Sequence, residues 1–176
     1  IEGSSHYVVQ VHYSNLNMLA DQKDASGFSL CTTDQLRSND ADILAFGTLN
    51  INIPANGKQD LTCNLTIPAG VLQPNTHIIG AMPHMHKLGK TIRTDIFPGG
   101  AGNPILMSER NPWNFDSQYW DSLDVPLKQG DKVTTRCYWE NPTNKAVGFG
   151  EQTSDEMCFA FAMYYPKIEL AQFNWL

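Results

Sequence analysis

Short segments of alternating apolar and polar residues, each ended by turn-forming residues, constrain the fold of this 176-residue chain more than any other feature. His6 to Tyr13 (HYVVQVHY) and Leu49 to Ile53 (LNINI) alternate in this way. Thr76 to Met82, Lys132 to Trp139 and Cys158 to Tyr165 are rich in β-branched and aromatic residues. Between them lie Pro54-Ala55-Asn56-Gly57, Pro98-Gly99-Gly100, Gln129-Gly130-Asp131 and Asn141-Pro142-Thr143-Asn144, all turn formers. Alternation of period 2 gives a strand one apolar face, which must be covered by a second sheet. No stretch holds a helical period over three turns. The expectation is an all-β fold, an antiparallel β-sandwich of jelly-roll type, with residues 1–176 as a single domain.

Charge and cysteine content narrow the function. Twelve basic residues against 18 acidic ones give a net charge of −6, and no cluster of Lys or Arg stands out. Nucleic acid and anionic membrane surfaces are disfavoured as partners. No apolar run approaches the roughly 20 residues of a spanning helix. Ile1 is not an initiator methionine and no leader is visible, so the chain reads as a processed or excised piece of something longer. Cys31, Cys63, Cys137 and Cys158 lack the paired spacing of a zinc knuckle. An even count fits two disulfides in an oxidising compartment, secreted, periplasmic or lumenal. Four free thiols in a cytosolic protein are the competing account. Asn64-Leu65-Thr66 has the pattern of a glycosylation acceptor.

His84-Met85-His86 is the first feature with chemistry in it. Residues i and i+2 of a strand share a face, so both imidazoles can converge on one ion. Two neutral imidazoles suit copper, zinc, nickel or iron, and a pair of histidines on a solvated face is the bland alternative. Met157, at the end of the run Gly150 to Met157, adds a soft thioether. Two imidazoles with one sulfur favour Cu(I), although a lone methionine is more often core filling.

Three ordered motifs carry a family resemblance. They are Gln10-Val11-His12-Tyr13, then His84-Met85-His86-Lys87-Leu88-Gly89-Lys90, then Thr153-Ser154-Asp155-Glu156-Met157-Cys158 with Met163-Tyr164-Tyr165 behind it. In order and spacing the chain resembles the copper type II, ascorbate-dependent monooxygenases, from Tyr7 to about Leu170. The tail Tyr164 to Leu170 is similar to the dopamine-hydroxylating branch. The loop Trp113 to Gln118 and the HMHKLGK and DEMC forms resemble bacterial members.

The resemblance implies that His84, His86 and Met157 hold the copper that binds dioxygen and attacks a substrate C–H bond. It implies that His12 is one of three histidines of a second, electron-transferring copper. The other two histidines would come from an N-terminal copper domain absent from this chain, which would then be the C-terminal half of a two-domain core. With no adjacent His-His pair here, the expectation is one copper per chain, a second site left incomplete, and an isolated chain without turnover. Ascorbate is the implied external reductant, with dioxygen and a small organic molecule as substrates. Cys137 and Cys158 match a family disulfide. Cys63 has a family counterpart whose partner is missing, which leaves Cys31 as its candidate partner.

Departures from the family pattern bear on the substrate. Where the peptide-hydroxylating enzyme uses an Arg, an Asn and a Tyr on the substrate carboxylate, this chain has Met82, Phe159 and Phe161. Apolar groups cannot pair a buried carboxylate, so a peptidylglycine is disfavoured and a neutral or aromatic small molecule is expected. His77 matches a non-ligand histidine, and His6 reads as a surface residue. Two other classes compete with the enzyme reading: a non-catalytic copper-binding or carrier module, and a β-sandwich recognition module that holds no metal.

Overall fold

A computed structural model describes residues 6, 8, 9, 11, 13, 15 and 18–168. It divides into two compact units, residues 1–36 and 37–176. In the first unit the described residues are exposed and form no helix or strand. Its local bonds are short-range, such as Tyr13 Oη to Asp24 at 2.6 Å and the Asn15 side chain closing on Leu19. The strand expected over His6 to Tyr13 is therefore absent from the described residues of that segment. Alternation yields a strand only when a neighbour takes up the backbone N–H and C=O groups. Among the described residues no such neighbour pairs with it. His12 and Gln10 lie outside the described residues.

The second unit is an antiparallel all-β sandwich. Its strands are β1 (Asp42–Gly47), β2 (Asn52–Ile53), β3 (Gly57–Thr66), β4 (His77–His84), β5 (Gly89–Phe97), β6 (Ile105–Arg110), β7 (Asp121–Pro126), β8 (Lys132–Asn141), β9 (Val147–Gly148) and β10 (Phe159–Tyr165). One four-stranded sheet has the order β1-β10-β4-β7 and the other β3-β8-β5-β6, with β2 and β9 forming a short ribbon. The segments expected at 76–82, 132–139 and 158–165 emerge as β4, β8 and β10. Of Leu49 to Ile53, only Asn52 and Ile53 pair as strand.

Alternation sorts the side chains as the pleat requires. In β10, Ala160, Ala162 and Tyr164 are buried while Phe159, Phe161, Met163 and Tyr165 are half-buried on the opposite face. The inward residues meet Ile96, Met107 and Val133 of the other sheet in the larger apolar cluster. A second cluster gathers Ile51, Ile53, Met85, Ile92, Trp113, Cys137, Trp139 and Cys158. Met85 thus roots the His-Met-His segment in apolar packing. Asn64 is exposed on β3, where its carboxamide accepts from Thr134 Oγ1 at 2.7 Å.

Candidate metal centre

His84 closes β4, and His86 lies two residues beyond the end of that strand. Met85 between them is fully buried, so the chain turns its apolar residue inward and leaves the imidazoles beside each other. Their ring centroids are 5.2 Å apart and the planes nearly perpendicular, at 88°. The shared-face expectation holds for the rings, although only His84 is in the strand.

Both imidazoles have their Nδ1 atoms committed. His84 Nδ1–H donates to Gln118 Oε1 at 2.7 Å. The Gln118 carboxamide is oriented by its own Nε2–H, which donates to the Phe115 carbonyl at 2.8 Å. His86 Nδ1–H donates to the Asp155 carbonyl at 3.0 Å. Each ring therefore leaves Nε2 as the atom with a free lone pair, the arrangement in which a second partner selects the metal-binding nitrogen. Burial holds the His84 imidazole below the usual histidine range, opposed by the Gln118 bond and reinforced by its neighbour His86. A neutral ring is the form that ligates metal.

The segment carrying Met157 is tied to the imidazoles by the two residues before it. Asp155 supplies the carbonyl that fixes the His86 ring. Glu156 is fully buried; its Oε2 accepts from the His86 backbone N–H at 2.9 Å and its Oε1 from Leu88 N–H at 2.6 Å. Trp139 Nε1–H also donates to Glu156 Oε2, at 3.0 Å. A bridge between Phe149 and Glu156 closes the base of the loop, and Met157 itself is half-buried. Cys137 and Cys158 are joined in a disulfide, with Cα atoms 6.1 Å apart. It links β8 of one sheet to the residue just ahead of β10 in the other.

Trp113 braces the other side, its Nε1–H donating to the His86 carbonyl at 2.9 Å. That approach requires glycine at position 89. A Cβ there would stand 2.8 Å from Trp113 Cδ1 and 3.0 Å from Met85 Cβ. The glycine of the HMHKLGK motif thus has a packing reason.

Beside the imidazoles runs an aromatic row. Across the β10–β4 register, Phe159 faces His84 and Phe161 faces Met82. Phe161 lies 5.8 Å from the His84 ring, Phe159 stacks on Phe161 at 5.9 Å, and Phe149 meets Phe159 edge-on at 6.2 Å. Met82, Phe159 and Phe161 therefore share one face with His84.

Other expectations fare differently. Cys31 is exposed in the first unit and Cys63 lies on β3 of the second, and neither forms a disulfide within its own unit. The half-buried Cys63 thiol is instead engaged with the Gly47 carbonyl at 2.9 Å. His77, at the far end of β4, pairs with Asp124 at 2.8 Å and stacks on Tyr165, in keeping with a structural role. His6 is exposed. Sequence reasoning missed Gln118, Glu156, Trp113 and Trp139 as parts of the site. Glu156 lies inside the DEMC run, and Trp113 and Gln118 bound the loop that shares the family resemblance, but Trp139 carried no such signal. Among the described residues no three His, Cys, Asp or Glu side chains cluster as a metal site. Also among them, no helix is long and apolar enough to cross a membrane.

Comparison with known sequences matches residues 39–173 to the family described as copper type II ascorbate-dependent monooxygenase, C-terminal domain. MOXD1 homolog 1 of Drosophila melanogaster is 31% identical over 179 residues, covering 96% of this chain and 25% of the relative. Putative DBH-like monooxygenase protein 2 of Homo sapiens is 26% identical over 92% of this chain and 34% of its own length. Dopamine beta-hydroxylase of Rattus norvegicus is 29% identical over 96% of this chain and 29% of its own length. The chain spans about a quarter to a third of the length of these relatives.

Proposed function

Since the chain belongs to the copper type II ascorbate-dependent monooxygenase family, by its C-terminal domain, we propose that it is the C-terminal half of a two-domain monooxygenase core, the half that carries the oxygen-binding copper. The observation that carries this reading is the pair of imidazoles 5.2 Å apart with both Nδ1 protons given to fixed acceptors. Their Nε2 atoms are the nitrogen donors and the Met157 thioether the third ligand. Two neutral imidazoles and a soft sulfur would suit Cu(I). When bound, the copper supplies dioxygen activation and hydrogen abstraction from a substrate C–H bond. Gln118 and Asp155 hold the rings in the metal-binding tautomer, and Met85 and Trp113 keep the segment between them from moving.

The substrate is a small neutral or aromatic molecule, laid against Phe159, Phe161 and Met82. These groups bury apolar surface and have no partner for a carboxylate, whose desolvation would go uncompensated. Peptidylglycine is disfavoured for that reason. Ascorbate is the reductant, and His12 is the one histidine of this chain that serves the second copper. Its two partners belong to an N-terminal copper domain of the parent protein. The strand order β1-β10-β4-β7 against β3-β8-β5-β6 supports the jelly-roll reading, and the Cys137–Cys158 bond supports a secreted, periplasmic or lumenal protein.

X-ray absorption of the Cu(I)-loaded protein tests the ligand set. A sulfur scatterer in the parent should vanish in Met157→Ala; an unchanged sulfur signal refutes the assignment.

A further inference from the structure

Glu156 is a carboxylate with 0% exposure, bonded to Trp139 of the second apolar cluster, and charged side chains are rarely buried without a partner. The three donors that hold it are all uncharged: two backbone amides and an indole N–H. Those donors come from sites distant in sequence. His86 is 70 residues away, Leu88 68 and Trp139 17. One side chain therefore fastens the segment after β4, the strand β8 and the loop ending at Met157 to a common point. Trp113 holds the carbonyl of the same His86 residue from the other side. The His86 peptide is thus gripped at its N–H and at its C=O, while its ring is fixed by Asp155.

We propose that Glu156 is a positioning residue for the metal centre, holding the imidazole of His86 in register with the thioether of Met157 through the main chain. The proposal rests on the copper reading given above. Met157 follows Glu156 directly, so any shift of the carboxylate relative to His86 changes the separation of the two ligands.

The acceptor count explains why the residue must be a carboxylate rather than an amide. Three N–H groups converge on two oxygens, with no acceptor among them. A glutamine offers one oxygen and an NH2. In either orientation its NH2 faces at least one N–H, at the 2.6 Å of Leu88 or at the 2.9 and 3.0 Å of His86 and Trp139. Two donors cannot share such a distance, so one element must withdraw. Burial pushes the Glu156 carboxyl above the usual carboxylate range, and the three hydrogen bonds work against that rise.

The test is Glu156→Gln in the full chain, with Glu156→Asp as companion. Asp keeps the charge on a shorter arm and carries the test if the Gln variant does not fold. Fold is checked by far-UV circular dichroism and an intact Cys137–Cys158 bond. Cu(I) affinity is read by competition with a chromophoric chelator, the sulfur scatterer by X-ray absorption, and the His86 amide by hydrogen exchange without metal. The expected result for a folded variant is a loss of Cu(I) affinity of about 10- to 100-fold, the usual effect of removing a group that orients a ligand. A weakened sulfur signal and a faster-exchanging His86 amide should accompany it. A folded variant that only melts lower, with the parent's Cu(I) affinity and sulfur amplitude, overturns the proposal and leaves the copper site standing. A parent that takes up no Cu(I) overturns the copper reading and this proposal together.

Discussion

Replacing Cys137 and Cys158 together by alanine should cost the fold about 3 kcal/mol. The bond closes a loop with a sequence separation of 21. In the chain-entropy model that length corresponds to about 11 cal/mol/K lost by the unfolded chain, hence the figure of roughly 3 kcal/mol at 25 °C. Both residues are fully buried in the cluster that also holds Met85, between the two imidazoles, so lost sulfur packing adds to the entropic term. For a chain of this size each kcal/mol moves the midpoint by about 2 to 4 °C, which sets the expected drop at roughly 6 to 12 °C. Geometry adds a second consequence. Cys158 follows Met157 directly, and the bond ties it to β8, the strand that also carries Trp139. Without the bond, one end of the ligand loop is held only by hydrogen bonds, and Cu(I) affinity should fall as well. Scanning calorimetry of the metal-free proteins reads the first effect and chelator competition the second. A double variant melting within a degree of the parent would refute the stability argument. Normal melting loss with unchanged copper affinity would refute only the coupling to the site.

Three further outcomes are expected. Gly89→Ala should lower stability by about 1 to 3 kcal/mol through overpacking and shift the Trp113 fluorescence, because the new Cβ meets the indole and Met85; an unmoved emission spectrum with parent stability counts against the packing account. In metal-free protein, burial holds His84 below the ordinary histidine value near pH 6.5. Over the window below that value the unfolded chain binds the extra proton, so stability should rise with pH there. His84→Gln should flatten that slope in denaturant melts between about pH 5 and 7, and an unchanged slope would exclude the assignment. The isolated chain should bind close to one copper tightly and turn over no substrate with ascorbate, as elemental analysis and oxygen uptake can establish; robust hydroxylation by this chain alone would show that one copper suffices.

Much of this protein is legible before any fold is drawn. Ala160, Ala162 and Tyr164 alternate with Phe159, Phe161 and Met163, so β10 declares both its existence and its buried face. The parity of His84 and His86 does the same for the imidazole pair, because neighbouring side chains in extended backbone obey a local rule. The strand β3 is harder to see: Gly57 to Thr66 is mostly polar, since an edge strand with one face in water needs few apolar residues. His6 to Tyr13 is the reverse case, an apolar alternation whose described residues form no strand.

What no local pattern could supply is the set of groups that orient the site. Glu156 in Asp-Glu-Met-Cys looks like one more solvated acid, and Trp113, Trp139 and Gln118 look like core or loop residues. Their roles exist only because β4, β8 and the loop before β10 meet at one place, bringing together donors and acceptors up to 70 residues apart. The pairing of the cysteines follows the same division. Cys137 and Cys158 are bonded because the two sheets stack over that point, while the Cys63 thiol is taken by the Gly47 carbonyl. Sequence determines residue chemistry and local periodicity, because both depend on near neighbours along the chain. The partners of buried polar groups depend on distances through space, and only tertiary packing decides those.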